Sequence, residues 1–145
     1  MRKLFKIILV SFIFMLFLTG CSDQGKEEKY AEDVSNFYVK INTYDAKINA
    51  IDSKAADADK QLLEIIDQMD AEFKNFAALE PPAGYDQAKE HATNASQCMT
   101  NAANYFHVAF SGEKVDETAL QSAYLQYGNA ITEVKNVGVA LQNGN

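Results

Sequence analysis

The stretch DSKAADADK, residues 52–60, decides how the apolar pattern of this chain folds. It is short and polar, and alanine is the only apolar residue type that it contains. On both sides of it, apolar residues recur at steps of three and four, which predicts amphipathic helix. The predicted inward residues of this segment are Tyr30, Val34, Phe37, Ile41, Tyr44, Ile48, Ile51, Ala55, Ala58, Leu62, Ile65, Met69, Phe73 and Phe76.

The segment can be read as one long helix or as two shorter ones. Its continuous phase, with no glycine or proline before Pro81, favours one helix of roughly 50 residues. The polar stretch, in which Asp52 or Ser53 is available as an N-cap, favours a break. Two further stripes downstream each predict a helix of about 25 residues, or roughly 37 Å. The first segment covers its apolar stripe best by folding back near Asp52.

We therefore expect an all-α fold, an antiparallel up-down-up-down four-helix bundle formed by residues 30–143. The alternative is three helices with one long, kinked N-terminal helix. The sequence PPAG, residues 81–84, ends the first segment because proline cannot continue a helix. At the last turn, Gly112 suits a left-handed C-terminal position and Asp116 an N-cap. The inward residues predicted for the last two helices are Tyr85, Ala88, Ala92, Ala95, Met99, Ala102, Phe106 and Ala109, then Leu120, Tyr124, Tyr127, Ile131, Val134 and Leu141.

The N-terminus has the three-part pattern of a secretory signal peptide. Arg2, Lys3 and Lys6 give it a positive start, residues 7–18 are almost entirely apolar, and small residues follow. A membrane-spanning helix needs about 20 apolar residues, which is more than this run provides. We expect residues 1–20 to be a signal peptide that is removed.

The sequence Leu18-Thr19-Gly20-Cys21 resembles the lipobox of bacterial lipoproteins. This resemblance implies cleavage between Gly20 and Cys21 and attachment of diacylglycerol to the sulfur of Cys21. The new amino group is a candidate for acylation with a fatty acid such as palmitate. Two or three acyl chains anchor a protein stably, so the expected location is the extracytoplasmic face of the cell membrane. No cofactor other than this covalent lipid is predicted.

The composition after residue 20 is strongly acidic. Three of the 13 basic residues lie in the predicted signal peptide, which leaves 10 against 20 acidic residues and no arginine. Nucleic acid is therefore not an expected partner, because its recognition calls for a basic face. Residues 22–29 contain no apolar side chain, so residues 21–29 are predicted to be the lipidated N-terminus and a polar tether.

No catalytic or metal site is predicted. His91, Cys98 and Tyr105 recur at intervals of seven, but no Glu-x-x-His motif accompanies them. With Cys21 lipidated, Cys98 has no disulfide partner and is expected to be a small buried residue. The carboxylates Glu64, Asp67 and Asp70 fit a solvated helix face better than a calcium site. No G-x-S-x-G motif occurs, so we expect no enzyme activity.

The overall plan resembles the small helical lipoproteins of Gram-positive bacteria, a group with no settled activity. The resemblance rests on the lipobox, the polar tether, and the sequence LEPP at residues 79–82 before a helix rich in Ala and Asn. It transfers no functional residue beyond Cys21. We expect a non-catalytic module that binds another envelope protein through a helix face. The alternative is a small-ligand binding or sensing protein with a groove lined by Tyr105, Tyr127 and His91.

Overall fold

The computed structural model describes residues 24–143, which form four helices. These helices are α1 (Gln24–Asn49), α2 (Ala58–Ala77), α3 (Asp86–Ala109) and α4 (Glu117–Asn143). The described residues contain no strand, and the all-α four-helix bundle is confirmed. The predicted signal peptide and the predicted lipidation and cleavage residues Gly20 and Cys21 lie outside the described residues.

Neighbouring helices run antiparallel, as the side-chain contacts between them show. Along α1 and α4 the residue numbers of paired side chains change in opposite directions, and the same holds for α3 and α4. These pairs are Tyr38 with Val134 and Asp45 with Tyr127 for α1 and α4, then His91 with Glu133 and Phe106 with Tyr124 for α3 and α4.

The polar stretch breaks the first segment, so the alternative with one long helix is wrong. Residues 50–57 separate α1 from α2. The predicted N-cap is also wrong, because Oδ1 of Asp52 accepts a hydrogen bond from the backbone N–H of Lys54 and turns the chain there. Asp57 occupies the N-cap position of α2 without a side-chain hydrogen bond. The short polar side chains thus stabilise the turn rather than the helix start.

The other two connections differ in how they reverse the chain. Gly84 adopts a left-handed conformation with φ 93° in the turn before α3. The left-handed conformation predicted for Gly112 is wrong, because there the backbone N–H of Asp116 closes the turn on the carbonyl of Ala109. Asp116 is confirmed as an N-cap, since its Oδ1 accepts hydrogen bonds from two backbone N–H groups at the start of α4.

The predicted tether is partly helical. Residues 24–29 form the first turns of α1. Lysine, glutamate and glutamine have good helix propensity, and Glu27 lies in the first turn, where a negative charge favours the helix dipole. The absence of apolar residues therefore does not prevent helix formation, because α1 is already held to the bundle from Tyr30 onward.

Aromatic side chains fill the core between α1 and α2. Phe37 stacks on Phe76 with ring centroids 4.0 Å apart and meets Phe73 edge to face at 5.0 Å. Ile66, rather than the predicted Ile65, is the buried isoleucine of α2. Met69 and Met99 complete this part of the core.

Small residues fill the interface between α3 and α4. These two helices pack most closely along their backbones, whereas α1 has the fewest close backbone approaches to its neighbours. The alanine stripe predicted for α3 is confirmed, but on α4 the fully buried positions include Ala123 and Ala130, and the larger Tyr124 and Ile131 are only half-buried. Close backbone contact leaves room only for small side chains, so the large ones lie at the edges of the core.

Candidate functional site

Exposed charges are divided unequally among the four helices. Those of α1 and α2 are Lys26, Glu28, Lys29, Glu32, Lys40, Lys47, Asp59, Lys60, Glu64, Asp67 and Lys74. By contrast, residues 92–109 of α3 and residues 118–143 of α4 contain no exposed Asp, Glu, Lys or Arg. Because α3 and α4 are packed side by side, their exposed residues in these two ranges form one surface, which we name the uncharged face.

Amide side chains make up much of the uncharged face. They are Asn94, Gln97, Asn101, Asn104, Gln121, Asn129, Gln142 and Asn143. Each amide both donates and accepts hydrogen bonds and loses less solvation free energy on burial than an ionised group does. Depletion of charge and the presence of tyrosine are typical of the central part of protein–protein interfaces.

Large apolar side chains are exposed at one end of the uncharged face. Tyr105 and Val108 on α3 are 41% and 52% exposed, and Leu125 on α4 is 64% exposed. The rings of Phe106 and Tyr124, 5.5 Å apart, fix the register of the two helices at this level. Tyr105 precedes Phe106 by one residue, and Leu125 follows Tyr124 by one residue. Because α3 and α4 are antiparallel, Tyr105 and Leu125 therefore lie at the same height of the bundle. This is the end opposite Gln24, since α1 and α3 run in the same direction.

His91 and Cys98 lie at the seam of α3 and α4, beside the uncharged face. Nδ1 of His91 lies 2.6 Å from Oε2 of Glu133, which joins the two helices. Burial, and to a smaller extent the charge of Glu133, raises the pKa of the Cys98 thiol. A raised pKa lowers the fraction of reactive thiolate at neutral pH.

The acidic side chains of α2 contact α3. Oδ1 of Asp67 lies 2.7 Å from Nε2 of His107, and Oδ1 of Asp70 accepts a hydrogen bond from the hydroxyl of Thr100. Asp70 also pairs with Lys74 at 2.6 Å. Within residues 24–143, no group of three His, Cys, Asp or Glu side chains is arranged to hold a metal ion.

Tyrosine hydroxyls connect α1 to α4 on the other side of the bundle. Tyr127 donates a hydrogen bond of 2.6 Å to Oδ1 of Asp45, and Tyr38 donates one of 2.7 Å to the carbonyl of Val134. Burial raises the pKa of Tyr38 to about 12. Burial and the neighbouring carboxylate of Asp45 raise the pKa of Tyr127 well above its ordinary value. Both hydroxyls therefore stay protonated and act as donors at neutral pH.

The three residues predicted to line a ligand groove do not lie together. Tyr127 faces α1, whereas His91 faces Glu133 of α4. Tyr127 and Glu133 are six residues apart on α4, which places them about 120° apart around the helix axis. Tyr105 is on the same side of α3 as His91 but about 21 Å further along the axis. A helix pattern places residues on a face and does not reveal which neighbour that face meets.

The uncharged face was not among the features predicted from the sequence. Its signal is present in the sequence, because residues 92–112 and 118–132 contain no Asp, Glu, Lys or Arg. What the sequence does not reveal is that α3 and α4 present these two stretches side by side. Only the packing of the two helices joins them into one surface.

Comparisons with protein-family models, with curated proteins and with solved structures found no significant match for this chain. In the part of the chain that the structure describes, no helix combines the length and the apolar character needed to cross a membrane.

Proposed function

We propose that this protein is a lipid-anchored, non-catalytic interaction module on the extracytoplasmic face of a bacterial membrane, and that it binds a protein partner through the uncharged face. One observation carries the proposal. A chain with 20 acidic residues leaves residues 92–109 and 118–143 without an exposed charge and exposes Tyr105, Val108 and Leu125 there.

The physical reason lies in the cost of removing water from the surface. Ionised side chains lose several kcal/mol of solvation free energy on burial unless they are paired, whereas amides and apolar side chains lose far less. A partner can therefore cover the uncharged face at a lower desolvation cost than α1 or α2. The charged side chains of α1 and α2 keep the rest of the domain solvated.

The anchor depends on Cys21 and is tested separately. In Cys21→Ala the thiol that accepts diacylglycerol is absent, so the precursor stays unlipidated. We expect this variant to leave the detergent phase in a phase-separation assay, while the native chain stays in it. Unchanged partitioning of Cys21→Ala would refute the lipid anchor.

The interaction is tested by site-specific photocrosslinking of the full-length chain in intact cells. A photoreactive amino acid at position 105 lies on the uncharged face, and the matched control at position 39 replaces Val39, which is 62% exposed on α1. We expect a reproducible protein adduct from position 105 and none from position 39. If position 105 gives no adduct with any protein, the uncharged face is not an interaction surface.

A further inference from the structure

We infer that the partner covering the uncharged face is a second copy of this chain, related to the first by a two-fold axis that runs parallel to the helices along the seam of α3 and α4. The inference rests on the proposed function and names its partner. Three observations support it: the charge distribution, the placement of Tyr105 beside Leu125, and the size of the face.

The charge distribution favours this face for self-association. After residue 20 the chain carries 20 acidic and 10 basic residues, so two copies repel each other at most orientations. Like charges brought together in an interface oppose binding by several kcal/mol. The charged groups within the residue ranges of the uncharged face are Glu133, which is partly buried and pairs with His91, and Lys135, which is also partly buried. The repulsion between two copies is therefore smaller at this face than at the exposed charges of α1 and α2.

The face is also complementary to itself. An interface with a two-fold axis places the same surface of both copies in contact, so the surface must match itself. Amide side chains meet this condition because each one both donates and accepts hydrogen bonds. Tyr105 on α3 and Leu125 on α4 lie at the same height on either side of the seam. A two-fold axis along that seam places Tyr105 of each copy against Leu125 of the other.

The size of the face is sufficient for a specific dimer. The face is about 27 Å long on α3 and about 39 Å long on α4, so at about 10 Å of width per helix it presents roughly 660 Å². Specific interfaces of standard size bury about 800 Å² on each partner. The uncharged face covers most of the length of both α3 and α4, and Glu133 and Lys135 are the partly exposed ionised groups within it.

The same axis suits two chains anchored in one membrane. A two-fold axis parallel to the helices leaves both Gln24 ends on the same side of the dimer. Two chains anchored in one membrane require both described N-terminal ends to face that membrane, and this arrangement meets the requirement. An antiparallel arrangement would place one of the two Gln24 ends at the far side of the dimer.

The test is chemical crosslinking between two differently tagged full-length chains in intact cells. Both chains carry Cys98→Ala, one carries Tyr105→Cys and the other Leu125→Cys. We expect a short bismaleimide to join the two tags in one product. The control pair combines Tyr105→Cys with Val139→Cys. Val139 is 52% exposed on α4 but lies about 21 Å from Leu125 along the axis of that helix.

The outcomes separate this inference from the proposed function. A product from the 105–125 pair and none from the 105–139 pair supports the parallel dimer, whereas the reverse result overturns it. Only heterologous adducts in the photocrosslinking experiment would leave the interaction module standing and refute self-association. No adduct of any kind would refute both.

Disruption of the dimer gives a second measurement on the intact protein. In Leu125→Glu the two-fold axis brings a charge of each copy against Tyr105 of the other, and an apolar contact is lost. We expect the dissociation constant of the detergent-solubilised dimer, measured by sedimentation, to rise at least tenfold. The control Val39→Glu adds the same charge on α1 and should sediment like the native chain. Unchanged sedimentation of Leu125→Glu would overturn the inference.

Discussion

The hydroxyl of Tyr127 on α4 donates a 2.6 Å hydrogen bond to Oδ1 of Asp45 on α1. This bond and the one from Tyr38 to the Val134 carbonyl connect α1 to α4, whose backbones approach each other closely at few points. Burial raises the pKa of Asp45, and the hydrogen bond from Tyr127 partly lowers it again. The Tyr127 hydroxyl therefore provides the half-buried carboxylate of Asp45 with a hydrogen-bond donor.

Tyr127→Phe should destabilise the fold, whereas Tyr30→Phe should not. Removing the Tyr127 hydroxyl leaves the Asp45 carboxylate without its donor, which costs about 1–2 kcal/mol of unfolding free energy. Tyr30 is 3% exposed, and its hydroxyl has no hydrogen-bond partner within the described residues. Removing that hydroxyl should leave the unfolding free energy unchanged or raise it by up to about 1 kcal/mol. Urea unfolding followed by circular dichroism measures both variants.

The two variants serve as matched controls because the chemical change is the same. Both remove one hydroxyl from a tyrosine packed on the core and keep the ring. An equal loss of unfolding free energy in the two variants would show that the hydrogen bond to Asp45 is not what stabilises the α1–α4 contact.

Asp45→Asn should stabilise the protein at neutral pH and have less effect in acid. Burial raises the pKa of Asp45 above its ordinary value of 3.8. The protonated form of Asp45 therefore favours the folded state. This contribution to the unfolding free energy is fully present below pH 3.8 and is lost as the pH rises through the pKa of Asp45 in the folded protein. Asparagine stays neutral and still accepts the hydrogen bond from Tyr127.

We expect the stabilising effect of Asp45→Asn at pH 7 to be about 0.5 kcal/mol, because Asp45 is only half-buried and water screens its charge. Unfolding free energies measured at several pH values test this. An effect of Asp45→Asn that grew as the pH fell would contradict the assigned direction of the pKa change.

Lys89→Met should loosen the connection between α2 and α3. Nζ of Lys89 donates hydrogen bonds to the carbonyl of Ala77 at the end of α2, to the carbonyl of Leu79 just beyond it, and to Oε1 of Glu80. A cation at a helix C-terminus is favourable, and loss of these bonds should cost about 1–2 kcal/mol. Thermal unfolding of the full chain measures the change.

The control for this variant is Lys60→Met. Lys60 forms an exposed pair with Glu64 at 3.8 Å within α2. Such pairs contribute about 0.5 kcal/mol or less, so this variant should unfold almost like the native chain. If both variants unfold alike, the contacts of Lys89 with the α2 carbonyls do not stabilise the fold.

Ala95→Leu should disrupt the packing of α3 on α4. Ala95 is completely buried in the core between closely packed helices, so a larger side chain forces these helices apart. Overpacking of this kind typically costs about 1–3 kcal/mol. Ala71→Leu makes the same change at an exposed position of α2 and should leave the unfolding free energy nearly unchanged. Equal effects in denaturant unfolding would show that the interface is not tightly packed.

The sequence predicts the helices and most of the core because these depend on local periodicity. A spacing of three and four residues is enough to give the inward faces of α1 and α3, and the polar stretch together with the length of the later helices places the break near Asp52. Proline and the N-cap Asp116 mark where helices begin and end. The amino acids themselves therefore determined the four-helix bundle.

The tertiary structure decided which helix faces meet, because helix rotation and spacing depend on packing with neighbours. The alanines of α3 select small residues of α4 and move Tyr124 and Ile131 to the core edge. Packing directs Tyr127 towards Asp45 and away from His91 and Tyr105. It also joins two charge-free stretches, distant in sequence, into the uncharged face. Such relations between helices depend on side-chain fit across an interface, which the periodicity of a single helix does not encode.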